Sequence, residues 1–280
     1  MSNKNIRIYI IILIILFIIY SFYKEYTKNK TTIKIMCIGD SITFGHKTPG
    51  SYRKFLYNNL IKKGYNIKMI GTKNKKLEKY YYNKNISKKF FFYQDNNEGY
   101  NGYTICSFGR RKGILELLKR NKCLKLNPDI IILMIGTNNI MENYDYDLTI
   151  NDFISLIKYI LNNISENSML FVSTILDLDP NHKYNYFWFD NYRKENRNDF
   201  DVKNMVDNYV IRYNNKIKEI IKDFENRGYN IKIEDGNKVI KNFDKLMIEG
   251  VHPNNDGYKK LGDFWAEIID KYLYENFNKF

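Results

Sequence analysis

Residues 129–139 read DIIILMIGTNN, an unbroken apolar run followed at once by a glycine and polar residues. An apolar run without alternation is typical of a central parallel strand that is covered on both faces. Four more segments have the composition of strands: 33–38, 65–70, 169–175 and 229–234. Segments with helical periodicity alternate with them, at 52–63, 114–124, 149–164, 202–224 and 258–274. This alternation predicts an α/β fold in which helices cover both faces of a five-stranded parallel sheet.

Composition excludes several classes of protein. The chain has 280 residues, 44% of them hydrophobic, which is too apolar for a fully disordered protein. Its mean hydropathy of −0.50 excludes a multispan membrane protein. The formal net charge of +14 comes from scattered basic residues without a nucleic-acid-binding signature. We therefore expect no nucleic-acid partner and a single α/β domain over residues 31–280, acting as a monomer.

The N-terminal region differs from the rest of the chain. Residues 8–23 (IYIIILIILFIIYSFY) carry no charge, and basic residues flank them on both sides. Sixteen helical residues span about 24 Å, somewhat less than the roughly 30 Å hydrocarbon core of a bilayer. Residues 1–30 are interpreted as an uncleaved signal anchor with a charged stalk, or alternatively as a cleaved signal peptide. Either form places the following domain outside the cytoplasm, and the anchor would contact the membrane through residues 8–23.

The cysteines and histidines indicate neither a disulfide framework nor a metal centre. Cys37 lies inside a predicted strand, and Cys106 and Cys123 are the pair left to form a disulfide, an alternative that stays open. No Cys-x-x-Cys motif or His/Cys cluster has the spacing of metal ligands. The sequence therefore predicts no metal and no cofactor.

Polar residues follow two of the predicted strands, at the edge where α/β proteins bind ligands. The first strand leads into Gly39-Asp40-Ser41, where the serine can be a nucleophile or can cap the next helix. The run 129–135 leads into Gly136-Thr137-Asn138. Asn138 can donate its side-chain N–H to a developing oxyanion, or it can be an ordinary turn residue.

Two more candidates lie elsewhere in the chain. His252 precedes the last predicted helix, and Glu249 stands three residues before it, a spacing at which a carboxylate can orient an imidazole that acts as a general base. An exposed loop histidine is the alternative. Gly102, within EGYNGYTI (98–105), can present a backbone N–H where a side chain would obstruct, or it can belong to a plain turn.

Together and in this order, these fragments resemble the SGNH (GDSL-type) hydrolases, whose four blocks are Gly-Asp-Ser, a glycine, Gly-x-Asn and Asp-x-x-His. The matching residues are Gly39–Ser41, Gly102, Gly136–Asn138 and a variant last block that ends at His252. The resemblance spans about residues 33–275 and is greatest to the acetyl xylan esterases of carbohydrate esterase family 3. It implies a flavodoxin-like three-layer α/β/α sandwich and ester hydrolysis without a metal.

The resemblance also implies a role for each matching residue. Ser41 would be the nucleophile and His252 the general base. The backbone N–H groups of Ser41 and Gly102 and the side chain of Asn138 would form the oxyanion hole. The last block departs from the family because Glu249 stands where relatives have aspartate. Either this longer carboxylate orients His252, or a backbone carbonyl does.

Three functions are compatible with this sequence. The first is an exported serine esterase that removes O-acetyl groups from polysaccharide, or from another small acyl ester. The second is a lipid-acting esterase or lysophospholipase of the same superfamily. The third is a membrane-tethered glycan-binding protein with a degenerate site, suggested only by the glutamate at position 249. Persistence of Ser41, Asn138 and His252 favours an enzyme.

Overall fold

A parallel sheet forms the middle layer of the protein. The computed structural model describes residues 9–20, 31–73, 95–184, 186–194 and 197–276. Its strands are β1 (Thr32–Gly39), β2 (Asn66–Ile70), β3 (Glu98–Gly99), β4 (Ile130–Met134), β5 (Met169–Ser173) and β6 (Ile231–Glu234). The order is β2-β1-β4-β5-β6, with β3 paired to the end of β1, and all these pairings are parallel. Without the two-residue β3, this is the flavodoxin-like order 2-1-3-4-5, which confirms the predicted fold class.

Helices cover the sheet on both sides. The longer ones are α2 (Ser51–Lys62), α3 (Ile114–Asn121), α5 (Tyr146–Leu161), α7 (Asp199–Asn226) and α9 (Asn255–Glu275). Four short helices lie at or near the loops: α1 (Ser41–Phe44), α4 (Thr137–Met141), α6 (Asp190–Arg193) and α8 (Phe243–Leu246). Single turns of 3₁₀ helix occur at Cys123–Leu126, Tyr186–Phe189 and Gly236–Val239. All five helices predicted from periodicity are present.

The apolar run of β4 is buried on both of its faces. Ile131 and Leu133 pack into a core shared with α3, α5 and α7. Ile130 and Ile132 point to the opposite face and pack into a second core shared with α2 and α9. Side chains alternate across a strand, so an unbroken apolar run is required wherever both faces are covered.

Several helices begin before the apolar periodicity does. α5 starts at Tyr146, not at residue 149, because the carboxylate of Asp145 accepts the backbone N–H of Leu148. The side chains of Asn198 and Asn254 cap α7 and α9 in the same manner. Polar capping residues and a polar first turn carry no apolar pattern, so periodicity placed these starts about three residues late.

The last helix packs on the first long one. The side chain of Asn59 in α2 donates to Asp263 in α9 at 2.7 Å, and Lys63 pairs with Asp270 at the same distance. The closing segment of the chain therefore covers the sheet face that α2 also covers.

Residues 72–98 and 176–202 have no clear helical or strand periodicity, which predicts two long loops. Strand β3 begins at Glu98, the last residue of the first segment, of which residues 74–94 are outside the described ranges. The segment 176–202 contains the 3₁₀ turn at 186–189 and α6. Both departures are single turns or two-residue pairings, which are too short to produce a periodic signal.

Two sequence-based expectations concern the N-terminus and the cysteines. Residues 9–20 are helical and exposed, and within the described ranges no helix is long and apolar enough to cross a membrane. Residues 8 and 21–23 of the predicted anchor lie outside those ranges. Cys37 is buried in β1 as predicted, and Cys106 and Cys123 are both free thiols, so the structure contains no disulfide between them.

Candidate active site

Ser41 is the first residue of α1, directly after β1 and Asp40. The helix cap is Asp40, whose Oδ1 accepts the N–H of Ile42 at 2.9 Å. Ser41 therefore does not cap the helix, and the alternative role suggested by the sequence, a capping serine, is excluded. Its Oγ lies 2.7 Å from Nε2 of His252. Burial raises the pKa of Asp40 to about 6, although the Ile42 hydrogen bond and the nearby His252 partly oppose this.

The C-terminal end of α1 is also fixed. The buried guanidinium of Arg53 donates through Nε to the carbonyl of Thr43 at 2.9 Å and through Nη2 to that of Phe44 at 3.0 Å. The same guanidinium forms a buried ion pair with Asp95. These contacts satisfy carbonyls that the end of a short helix leaves without intrahelical partners. The turn that carries Ser41 is thus held at both ends.

His252 lies in the loop between α8 and α9, close to Glu249. This loop is closed by a 2.8 Å hydrogen bond from the N–H of Ile248 to the carbonyl of His252. The Oε1 of Glu249 contacts Nδ1 of the His252 ring and also accepts the backbone N–H of His252 at 3.2 Å. In the tautomer protonated at Nδ1, the ring donates to Glu249, while Nε2 accepts the Ser41 hydroxyl. The longer carboxylate thus reaches the ring despite its extra methylene.

Lys47 completes the surroundings of Glu249. Its Nζ lies 3.5 Å from Oε2 of Glu249, whose side chain is fully buried, while the lysine side chain is half exposed. Burial on its own would raise the pKa of Glu249. The hydrogen bond to His252 and the charges of His252 and Lys47 outweigh burial and hold this pKa below its usual value. A carboxylate that stays charged is what an imidazolium beside it requires.

Asn138 lies in α4, which begins directly after β4 and the turn at Gly136. Gly136 has φ +120°, and a Cβ there would come within 2.6 Å of the Tyr213 ring, so glycine is required. The Nδ2 of Asn138 donates to the carbonyl of Tyr103 at 2.9 Å. An amide nitrogen carries two hydrogens, so this bond fixes the side chain and leaves the second hydrogen available.

Gly102 contributes backbone to the same cleft. Its φ of +73° lies in the left-handed region, and a Cβ would approach Nη1 of Arg111 to 2.9 Å. Arg111 donates through Nη1 to the carbonyl of Gly102 at 3.4 Å and through Nε to Glu142 at 2.8 Å. Arg111 also lines the cleft, and its ion pair with Glu142 fixes the side chain that contacts the glycine turn.

These residues border one cleft of about 180 Å³, whose lining includes Ser41, Gly102, Asn138, His252, His46 and Trp188. Every residue that the sequence nominated for the oxyanion hole lies in it. The lining also includes groups that sequence reasoning did not nominate for the site, above all His46, whose ring centroid is 4.5 Å from that of His252. In the sequence, only its position five residues after Ser41 could have suggested that His46 lies near the nucleophile. In the described part of the chain, no group of three His, Cys, Asp or Glu side chains is arranged to hold a metal ion.

Known proteins with similar sequences and folds point to one family. The sequence pattern of the GDSL-like Lipase/Acylhydrolase family matches residues 35–265. A "Multidomain esterase" of Ruminococcus flavefaciens is 36% identical over 249 residues, which cover 86% of this chain but only 29% of that protein.

Solved structures share the fold. The Clostridium thermocellum family 3 carbohydrate esterase superposes with a TM-score of 0.60 at 23% identity, covering 86% of this chain and 96% of that one. A family 3 carbohydrate esterase from Talaromyces cellulolyticus gives 0.61 at 16% identity, covering 87% and 99%. Because the family pattern covers most of the chain and the fold agrees with it, the chain belongs to the GDSL-like Lipase/Acylhydrolase family.

Proposed function

We propose that the protein is a serine esterase that removes O-acetyl groups from polysaccharide by a Ser-His-acid mechanism. The observation that carries this proposal is the continuous chain of contacts from Ser41 through His252 to Glu249. This chain opens into a cleft that Asn138 and Gly102 also line. A hydroxyl, a base and an orienting acid in this order are the parts that acyl transfer through serine needs.

The first half of the reaction forms an acyl-enzyme. Oγ of Ser41 attacks the ester carbonyl carbon as its proton passes to Nε2 of His252. The negative charge that develops on the carbonyl oxygen is stabilised by the N–H groups of Ser41 and Gly102 and by the amide of Asn138. The bond to the leaving oxygen then breaks, and His252 returns the proton to that oxygen, which leaves as an alcohol.

The second half releases the acid. A water molecule attacks the acyl carbon while Nε2 of His252 takes its proton. Ser41 leaves with that proton, so the enzyme returns to its starting state. In both halves the imidazole is positively charged in the transition state, where the buried carboxylate of Glu249 stabilises it.

A short acyl group suits the dimensions of the cleft. Its volume of about 180 Å³ is below the roughly 300–1,000 Å³ typical of pockets for larger ligands. An acetyl group needs little of this volume, whereas a long acyl chain needs an extended apolar groove. The names of the family 3 carbohydrate esterases that share this fold agree with a carbohydrate ester as the substrate.

Export of the domain is part of the same proposal. The apolar segment 8–23, with basic residues on both sides, is the feature of an anchor or a signal peptide that supports it. A polysaccharide substrate outside the cytoplasm requires such a route.

An acyl-chain series tests the substrate class. Purified protein covering residues 31–280 is assayed with p-nitrophenyl acetate, butyrate, octanoate and palmitate, and acetate release is measured from acetylated xylan. We expect kcat/KM to be highest for the acetate and to fall by at least about tenfold by the octanoate. Preference for the long chains would instead indicate a lipid-acting esterase, and no turnover of any ester would indicate a glycan-binding protein without catalysis.

Replacing Asn138 tests the oxyanion hole. We expect Asn138→Ala to lower kcat on the acetate ester by about 10²–10³ with KM little changed, because the lost N–H acts on charge that develops only in the transition state. Asn138→Asp, of equal size but without the amide hydrogens, should fall at least as far. An alanine variant that is folded and within about threefold of wild type would remove Asn138 from the oxyanion hole.

A further inference from the structure

Two aromatic rings contact the imidazole of His252. The centroid of the His46 ring lies 4.5 Å away, tilted by 41°, and that of Trp188 lies 5.8 Å away, edge-on at 85°. Both residues line the cleft together with Ser41. Neither ring belongs to the hydrogen-bond chain of Ser41, His252 and Glu249 that transfers the proton, so we looked for a different role for both in the cleft.

The chemistry assigns this part of the cleft to the leaving alcohol. His252 takes the proton from Ser41 and returns it to the leaving oxygen, so that oxygen must stand next to Nε2. Groups that contact the imidazole therefore border the space of the alcohol. The acyl oxygen, by contrast, must lie within reach of Gly102 and Asn138.

His46 has polar atoms that suit a hydroxyl group. Its ring is partly buried and makes no side-chain hydrogen bond within the described ranges. Burial, together with the neighbouring charges of His252 and Lys47, lowers the pKa of His46 to about 4, so the ring is neutral at the pH of an ordinary assay. A neutral imidazole offers one N–H donor and one acceptor, and leaving such groups unpaired on ligand binding is costly.

Trp188 offers a flat apolar surface beside the same atoms. It belongs to the 3₁₀ turn at Tyr186–Phe189 and rests partly on the core, so its ring is held in place. A pyranose has one face formed mainly by C–H groups and an edge formed by hydroxyls. Such a ring can pack against an indole while its hydroxyls bond to a nearby imidazole.

From this geometry we infer that His46 and Trp188 form a subsite for a sugar as the leaving alcohol, with Trp188 against the pyranose face and His46 bonded to one of its hydroxyls. The inference rests on the proposed function and adds to it the residues that recognise the sugar. It does not concern the acyl group, whose fit depends on other parts of the cleft.

Two acetate esters with different alcohols isolate this subsite. Ethyl acetate and a mono-O-acetylated methyl xyloside, whose other ring hydroxyls are free, form the same acetyl-enzyme, so a difference in kcat/KM reports only on the alcohol. We expect Trp188→Leu, which keeps apolar bulk but not a flat ring, to lower kcat/KM for the sugar ester by about tenfold more than for ethyl acetate. His46→Phe should shift the ratio in the same direction, and His46→Gln, which keeps a donor and an acceptor, should shift it less.

The neighbouring Phe187→Ala is the matched control. Its ring is 79% exposed and is not part of the cleft lining, so the ratio should not change. Equal losses on both esters in the His46 and Trp188 variants, with wild-type turnover intact, would overturn the subsite alone, because the rings would then only support His252. Wild-type protein that hydrolyses neither ester would overturn the proposed function together with the subsite. Thermal unfolding of each variant confirms that it is folded.

Discussion

Ser41→Ala protein is expected to lose ester hydrolysis by roughly 10³–10⁶-fold while keeping its fold. The Oγ of Ser41 lies 2.7 Å from Nε2 of His252, where the imidazole can take its proton as it attacks the ester. The hydroxyl carries little of the packing, because Asp40 caps α1 and Arg53 holds its other end. The measurement is kcat on p-nitrophenyl acetate, with thermal unfolding of both proteins recorded alongside.

Ser155→Ala serves as the control for this experiment. Ser155 is exposed on α5, and its hydroxyl donates to the carbonyl of Asn151 in the same helix. Its replacement should leave both activity and unfolding temperature close to wild type. A folded Ser41→Ala protein with more than about 1% of wild-type activity would assign the nucleophile to another residue.

The second large effect is expected at Glu249. Glu249→Gln should lower kcat by about 10²–10⁴ with KM little changed, because the lost charge stabilises the His252 imidazolium only in the transition state. The carboxylate contacts the ring directly and is buried, so water cannot replace its charge. The measurement is kcat and KM on one short-chain acetyl ester for the wild type and the variant.

The Glu249→Asp variant tests whether the charge of this side chain or its length matters for activity. Aspartate keeps the charge on a side chain one methylene shorter, so this variant should retain far more activity than the glutamine variant. A glutamine variant within about tenfold of wild type would mean that the reaction runs on Ser41 and His252 without an acid. In that case Lys47 and Glu249 would form only a structural ion pair beside the site.

The main strands could be predicted from the sequence because each has a recognisable pattern of apolar residues within a few positions of the chain. In β2 and β6 apolar residues alternate with lysine, whereas in β4 burial on both faces makes the apolar run unbroken. Strand β3 was not predicted, since its two residues are held by pairing with the end of β1, a contact that no local pattern records. The starts of α5 and α7 were missed for the same kind of reason, because capping depends on single polar side chains.

Some residues of the candidate site could likewise be predicted from the sequence, and others could not. Ser41, Asn138 and His252 were nominated because strand ends and family motifs mark them, and the structure brings them into one cleft. Arg111 was not nominated, because in the run Arg110-Arg111-Lys112 nothing distinguishes the one side chain that reaches Gly102. Contacts between distant loops are set by the fold as a whole, and a linear pattern does not contain them.

The hydrogen bond between Ser41 and His252 joins residues that are 211 positions apart in the chain. During synthesis β1 and Ser41 leave the ribosome before His252 and α9 do. A loop of that length closes at an entropic cost, which contacts such as those between α9 and α2 must first offset. Acetate release during refolding would consequently time the docking of α9 and the His252 loop, whereas circular dichroism would follow the formation of the sheet and helices.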